Sequence, residues 1–328
     1  MITNQLTIVI PTYNRHKYLN RILSYYKNFQ FNNILVIDST IEEFDNKDEY
    51  NIEYFHYPNI SFSEKMLDAI NKVKTEYMVV CADDDFILLD ASLKCVEFLD
   101  NNPEYVSCSG TFVTFYTEYL ENYNFLSLDV NEFKEYSNKN LLDRIDFHFN
   151  NYYTLMYSIH RTKVFKNFID DFIDINQPFL REVGQSFYTL AQGGNKVLPF
   201  FYGARECMKG ESEGQTNDNL EVVSSNKKYE DEYNLFYSKI LNILKKYNGE
   251  NNFIHIVDKA ISDYKEQCIV SKPNPSKIFL KKIFSFFDYM KKKHTYKHKS
   301  LLNLESFTSA EGNLNQWLII EKIIKKYK

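Results

Sequence analysis

The chain has 328 residues, with 39 Lys and Arg against 44 Asp and Glu, so its net charge is -5. At 44% hydrophobic and 16% aromatic residues it can bury a substantial core, which excludes a disordered protein. The acidic balance excludes a nucleic-acid binder held by bulk electrostatics.

Leu6 to Ile10, closed by Pro11, reads as a buried strand. Asn14 is placed to cap a helix whose apolar positions Leu19, Ile22, Leu23 and Tyr26 share one face. A second strand, Asn33 to Ile37, ends at Asp38, and Ile52 to Tyr57 makes a third before Pro58. Ser61 and Glu64 have capping-box spacing ahead of a helix with Met66, Leu67, Ile70 and Val73 inward. The strand Tyr77 to Ala82 runs into Asp83-Asp84-Asp85, and Asp90 is placed to cap a helix ending near Pro103. Strands alternating with helices in this way imply right-handed crossovers and a mainly parallel sheet.

Strands follow at Val106 to Phe115 and Tyr153 to His160, with a polar, aromatic excursion over 117–150 between them. Phe179 to Gln192 reads as a helix stopped by Gly193-Gly194, and Val197 to Tyr202 as a last strand. Past about residue 212 the composition shifts. Four helices are expected there: Tyr229 to Tyr247, Phe253 to Val270, Lys277 to Lys293 and Leu314 to Tyr327. The expected organisation is therefore a domain over 1–212, split into halves 1–110 and 111–212, and a helical region over 213–328.

In an open parallel sheet, ligands sit beyond the carboxyl ends of the strands. Three strand ends carry marked chemistry: Pro11-Thr12-Tyr13-Asn14-Arg15, Asp38-Ser39-Thr40 and Asp83-Asp84-Asp85. Adjacent carboxylates repel, and a hard cation relieves that repulsion while completing its shell with water and substrate phosphate. A solvated acidic turn with capping duty is the plainer alternative. Lys65 and Arg15 sit in or beside first helical turns, where an anion is favoured. Each also reads as an ordinary surface cation. Asp38 reads as an acceptor for a base N–H or a ribose hydroxyl, or as the cap of its own turn.

These segments together, Thr7 to Arg15, Ile34 to Ser39 and the strand into Asp83-Asp84-Asp85, resemble the nucleotide-sugar-binding half of family 2 glycosyltransferases. The resemblance implies an α/β fold of the GT-A, Rossmann-like sandwich type with a mainly parallel sheet, plus a helical C-terminal extension. Position by position, Pro11, Thr12, Asn14 and Arg15 match the loop that holds base and phosphates. Asp38 matches the acidic residue that contacts the nucleoside, and Lys65 a basic residue near the diphosphate. Asp83, Asp84 and Asp85 match the DxD region that binds a divalent metal, Mn²⁺ or Mg²⁺. The common pattern is Asp-x-Asp-Asp, with Ala82 here where an aspartate is usual, while Asp83-x-Asp85 reads equally well. The metal ligand is therefore one of these three, with Asp83 and Asp85 preferred and Asp84 beside them on the donor.

Inverting members need a base for the acceptor hydroxyl. Glu182 occupies the comparable helix start, although Val183 replaces the usual following Asp; Asp174 and Glu206 are the alternatives. Arg205 is expected to reach the leaving diphosphate, and Tyr157 to Arg161 to line the acceptor side, with His160 equally readable as a core histidine. The expected reaction moves a sugar from a nucleoside-diphosphate donor, UDP-linked by preference, to a hydroxyl of a glycan or lipid-linked glycan, in bacterial surface polysaccharide assembly. Competing readings are a sugar nucleotidyltransferase, which the glycine-free Thr12-Tyr13-Asn14-Arg15 loop opposes, and a non-catalytic nucleotide- or glycan-binding protein.

Residues 277–299 interleave lysines with phenylalanines and suit peripheral contact with an anionic membrane, or equally a packed helix. His294 and His298 lack a third zinc ligand in the pattern. Cys81, Cys95, Cys108, Cys207 and Cys268 are scattered with no CxxC pair, as expected of reduced thiols. The N-terminus shows no export-signal pattern and no run of about 18 apolar residues occurs. The expected location is therefore cytoplasmic, at the inner face of a membrane if residues 277–299 bind there.

Overall fold

A computed structural model describes residues 5–117, 127–131, 140–207, 220–249, 253–270 and 313–327. In chain order the elements are β1 Leu6–Thr12, α1 His16–Lys27, β2 Ile34–Asp38, β3 Glu53–His56, α2 Phe62–Lys72, β4 Tyr77–Val80, β5 Phe86–Ile87, α3 Leu89–Asn101 and β6 Tyr105–Tyr116. They continue with β7 Ser127–Asn131, α4 Leu141–Asn150, β8 Ile159–Arg161, α5 Thr162–Phe172, α6 Pro178–Gln192 and β9 Gly194–Glu206. The last are α7 Leu220–Ser225, α8 Glu230–Asn248, α9 Ile254–Val270 and α10 Asn313–Lys326.

The strands form one sheet in the order β3-β2-β1-β4-β8-β6-β9-β5, with β7 on β6. β3, β2, β1 and β4 are parallel neighbours, as the alternating strands and helices predicted. Beyond β4 the sheet is mixed: β8 is antiparallel to both β4 and β6, whereas β6 and β9 form a long parallel ladder. This is the mixed α/β sandwich that the resemblance implies.

Successive residues of a strand point to opposite faces, and β1 feeds two cores in that way. Leu6, Ile8 and Ile10 pack with α1, α3 and α10, where Trp317 and Ile320 are buried. Val9 packs on the other face with α2, α5, α6, α8 and α9. The described C-terminal helices thus cover both faces of the sheet.

Several boundaries move. Tyr153 to His160 is not a strand; only Ile159–Arg161 pairs, and α4 and α5 occupy much of the region around it. Leu88, not Asp90, is the N-cap of α3. Arg15 rather than Asn14 caps α1, because Asn14 takes a left-handed φ of 55° and donates its N–H to Thr40 Oγ1 at 2.8 Å. Asn tolerates that region better than most residues. The last strand begins three residues early, at Gly194. Cys81, Cys95 and Cys108 are buried free thiols and Cys207 is exposed. The expected basic helix 277–299, with His294 and His298, lies outside the described residues, as do the side chain of Cys268 and much of the excursion after 117. Among the described residues no helix is long and apolar enough to cross a membrane.

Candidate active site

A cavity of about 630 Å³ opens beyond the ends of β1 and β4. One wall carries Pro11, Thr12, Asn14, Arg15, Lys65 and Asp83; the other carries Met156, Tyr157, Arg181 and Glu182. The sheet produces the first wall directly. β1 pairs with β2 so that Thr12 lies beside Asp38, and with β4 so that the loop after Val80 follows β1 outward.

The three aspartates are buried and held in different ways. Thr12 Oγ1 donates to Asp83 Oδ2 at 2.7 Å, and Arg15 lies 3.3 Å from Asp83 Oδ1. Arg15 also donates to Asp84 Oδ2 at 2.5 Å. Asp85 turns toward β9, accepting from the Glu206 N–H at 2.9 Å and facing Arg205 Nε at 3.4 Å. Burial, reinforced by the neighbouring Asp84, pushes the Asp83 carboxyl up to about 6 against the pull of Arg15, Thr12 and Lys65. The same two causes push Asp85 up, with Arg205 and the Glu206 N–H opposing.

β9 reaches this turn because Gly203 allows close approach: a Cβ there would lie 2.9 Å from the Phe86 carbonyl oxygen. Phe86 and Ile87 pair with Ala204 and Gly203, which sets Arg205 and Glu206 opposite Asp85. Arg205 lies over the Tyr157 ring at 4.3 Å. Burial works against its charge, but Tyr157, Asp85 and Glu182 more than offset this and hold its pKa above the usual range.

Arg21 carries a role that the motifs did not mark. Buried on α1, it donates to the Asp84 carbonyl at 2.5 Å and pairs with Glu206 at 2.6 Å. Its position six residues after Arg15, on the inward face of an amphipathic helix, was the available signal.

Asp38 is fully buried. Its Oδ1 accepts from the Thr40 N–H at 2.8 Å, and its Oδ2 meets the Tyr54 hydroxyl at 2.7 Å and His16 Nε2 at 2.6 Å. Burial opposes ionisation, yet these bonds hold its pKa below the ordinary value. Lys65 is buried too, donating to the Thr12 carbonyl at 2.9 Å and Ser39 Oγ at 3.0 Å, so it ties the first two strand ends together. The Ser61–Glu64 capping box that starts its helix is formed in full.

On the opposite wall, α6 starts behind Gln177, whose side chain caps Leu180 N, and delivers Arg181 and Glu182 to the cavity. Arg181 donates to Ser63 Oγ at 3.0 Å and to the Asn176 carbonyl at 2.8 Å, bridging the walls. Burial raises the Glu182 pKa, moderated by Arg205 and the Tyr152 hydroxyl. The two alternative bases lie elsewhere. Asp174 is exposed and paired with Lys239, and the Glu206 carboxylate is buried against Arg21. His160 is a core histidine, contacting the Leu155 carbonyl at 2.8 Å.

Among the described residues no three His, Cys, Asp or Glu side chains converge as a ligand cage. The aspartates nonetheless suit a hard cation that finishes its shell with water and phosphate. They are oxygen donors, and Asp83 and Asp85 remain raised despite their arginines, so additional positive charge would favour their ionised forms.

Residues 7–168 match the family model described as glycosyl transferase family 2. No curated protein matches the chain. Among solved structures, TarS of S. aureus is 13% identical with a TM-score of 0.45 over 76% of this chain. This chain spans 45% of the length of that protein. TarS 1-349 in complex with UDP-GlcNAc is 13% identical, TM-score 0.46, covering 79% of this chain and 89% of that one. The mannosyltransferase PcManGT of Pyrobaculum calidifontis, in complex with GDP-Man and Mn²⁺, is 9% identical, TM-score 0.44, covering 94% and 87%. The strand-end motifs and the cavity they border lie largely within the segment that matches the glycosyl transferase family 2 model.

Proposed function

We propose that the chain transfers a sugar from a nucleoside-diphosphate donor to a hydroxyl of a glycan or lipid-linked glycan, with inversion. The observation that carries this reading is the shared cavity, with Thr12, Arg15, Lys65 and Asp83 facing Arg181 and Glu182 across it. Arg15 and Lys65 supply positive charge for a diphosphate, and Asn14 orients the loop that carries Arg15 to it. Asp38 braces the nucleoside end through His16, Tyr54 and Thr40. Arg205 adds charge for the leaving diphosphate from behind Asp85.

Asp83 and Asp85 are the residues proposed to hold Mn²⁺ or Mg²⁺, with Asp84 beside them. When bound, such an ion neutralises developing phosphate charge. Glu182 takes the proton of the acceptor hydroxyl as the sugar leaves its diphosphate, its raised pKa making it a better base than an exposed glutamate. A UDP-sugar is the proposed donor and surface polysaccharide assembly at a membrane's inner face the proposed setting.

The test is hydrolysis of UDP-GlcNAc and of GDP-Man with and without Mn²⁺. Metal-dependent release of nucleotide, lost in Asp83→Ala and Asp85→Ala, supports the reading. Nucleotide binding without turnover of either donor would instead favour a binding protein.

A further inference from the structure

Glu182 Oε1 accepts a hydrogen bond from the Tyr152 hydroxyl at 3.1 Å. Tyr152 follows α4, and its ring is held from several sides. Tyr264 of α9 lies against it at 4.2 Å between centroids, His148 meets it edge-on at 5.1 Å, and Phe149 lies 5.8 Å away. Tyr264 also stacks on Phe179 at 5.9 Å with the planes 10° apart. Phe179 is three residues before Glu182, so one tyrosine from the C-terminal helices braces both the phenol and the helix turn that carries the carboxylate.

We propose that Tyr152 is the positioning residue for Glu182, and that Tyr264 of the C-terminal helical region holds Tyr152 in place for that purpose. The proposal rests on Glu182 being the base. With Oε1 engaged by the phenol, Oε2 is the oxygen that receives the proton as the acceptor oxygen forms its bond to the sugar and the diphosphate departs. A donor to a carboxylate favours its ionised form, so the phenol counteracts burial. The other charged or titratable groups about Glu182 include Arg205 of β9, Tyr157 before β8 and Arg181 on its own helix, with Arg15, Lys65 and Asp83 across the cavity. Arg181 is turned to Ser63. The C-terminal helices thereby become part of the catalytic apparatus, not an accessory to it.

The test is the pH dependence of kcat/KM for hydrolysis of UDP-GlcNAc or GDP-Man, whichever the full chain turns over. Tyr152→Phe keeps the ring and removes the donor, and is expected to move the acidic limb upward by about one pH unit, the worth of a hydrogen bond to a charged group. Replacing Tyr152 with 3-fluorotyrosine, a stronger donor of the same shape, is expected to move that limb downward. Tyr264→Ala is expected to lower kcat several-fold with the donor KM unchanged. An acidic limb that stays in place in both position-152 variants overturns the proposal. Glu182→Gln separates the two levels: loss of turnover there with unmoved limbs at position 152 sinks the positioning role alone, whereas retained turnover sinks the base assignment itself.

Discussion

The two walls of the cavity handle charge in different ways. On the donor side, Arg15 faces Asp83 and Asp84, Arg205 faces Asp85, and Arg21 faces Glu206. Across the cavity Glu182 has a neutral phenol as its donor. Behind it His148 and His160 are fully buried, and burial pushes their pKa values down to about 3 and about 4. A wall of ion pairs suits binding a ligand whose charge changes as a diphosphate leaves. A less solvated wall with one carboxylate suits accepting a proton. Under the proposed function, binding falls to one side and proton transfer to the other.

The largest expected effects are on turnover. Glu182→Gln should lower donor turnover by about 10²- to 10⁴-fold, the usual worth of a general base, while leaving UDP affinity intact by calorimetry. Asp83→Ala should weaken nucleotide binding as well as turnover. Equal loss of UDP affinity in both variants would break the division. Next in size is Arg21→Met, which leaves the Glu206 carboxylate buried beside Asp85. Removing one partner of a buried pair destabilises by roughly 3–5 kcal/mol, read from the urea midpoint. An unchanged midpoint would show that the pair does not hold the aspartate turn.

What the sequence disclosed divides along similar lines. The strand ends at Thr12, Asp38 and Asp83 were legible because strand periodicity and breakers are local signals. So was the Ser61–Glu64 capping box, whose two bonds form between residues three apart. Tyr152 and Tyr264 were not legible, and Arg21 only as an inward cation without a partner, because the partners Glu182, Tyr152 and Glu206 lie far along the chain and no spacing rule connects them. The strand expected over Tyr153 to His160 failed for a related reason. Tyr153 and Leu155 are buried with Leu190 of α6 and Val197 of β9 without joining the sheet themselves, so burial imitated strand composition.

A smaller effect concerns acid. His148 takes up a proton below pH 6.5 when unfolded but resists it when folded, its pKa being pushed to about 3. Its contribution is complete above that pH and is lost as pH falls, about 2 kcal/mol between pH 7 and pH 5. Asp83, raised to about 6, and Asp85 act in the opposite sense, binding protons more readily when folded. His148→Phe should therefore gain about 2 kcal/mol relative to the parent between pH 7 and pH 5 in urea titrations. A constant difference across that range would mean that the imidazole is not buried in neutral form.

The smallest effect is at Ser61. Its hydroxyl caps α2, and Ser61→Ala removes that cap at a cost of about 1 kcal/mol. Lys65 lies one turn into the helix, but its ammonium is also fixed by the Thr12 carbonyl and Ser39 Oγ, neither of which depends on the cap. If the donor wall is held mainly by such cross-strand contacts, thermal unfolding should shift while the donor KM stays the same. A KM that rises several-fold at a temperature where the variant is folded would mean that the helix start, not the strand ends, positions Lys65. The ordered wall of charges would then depend on a single local cap, and the binding side would be the more fragile of the two.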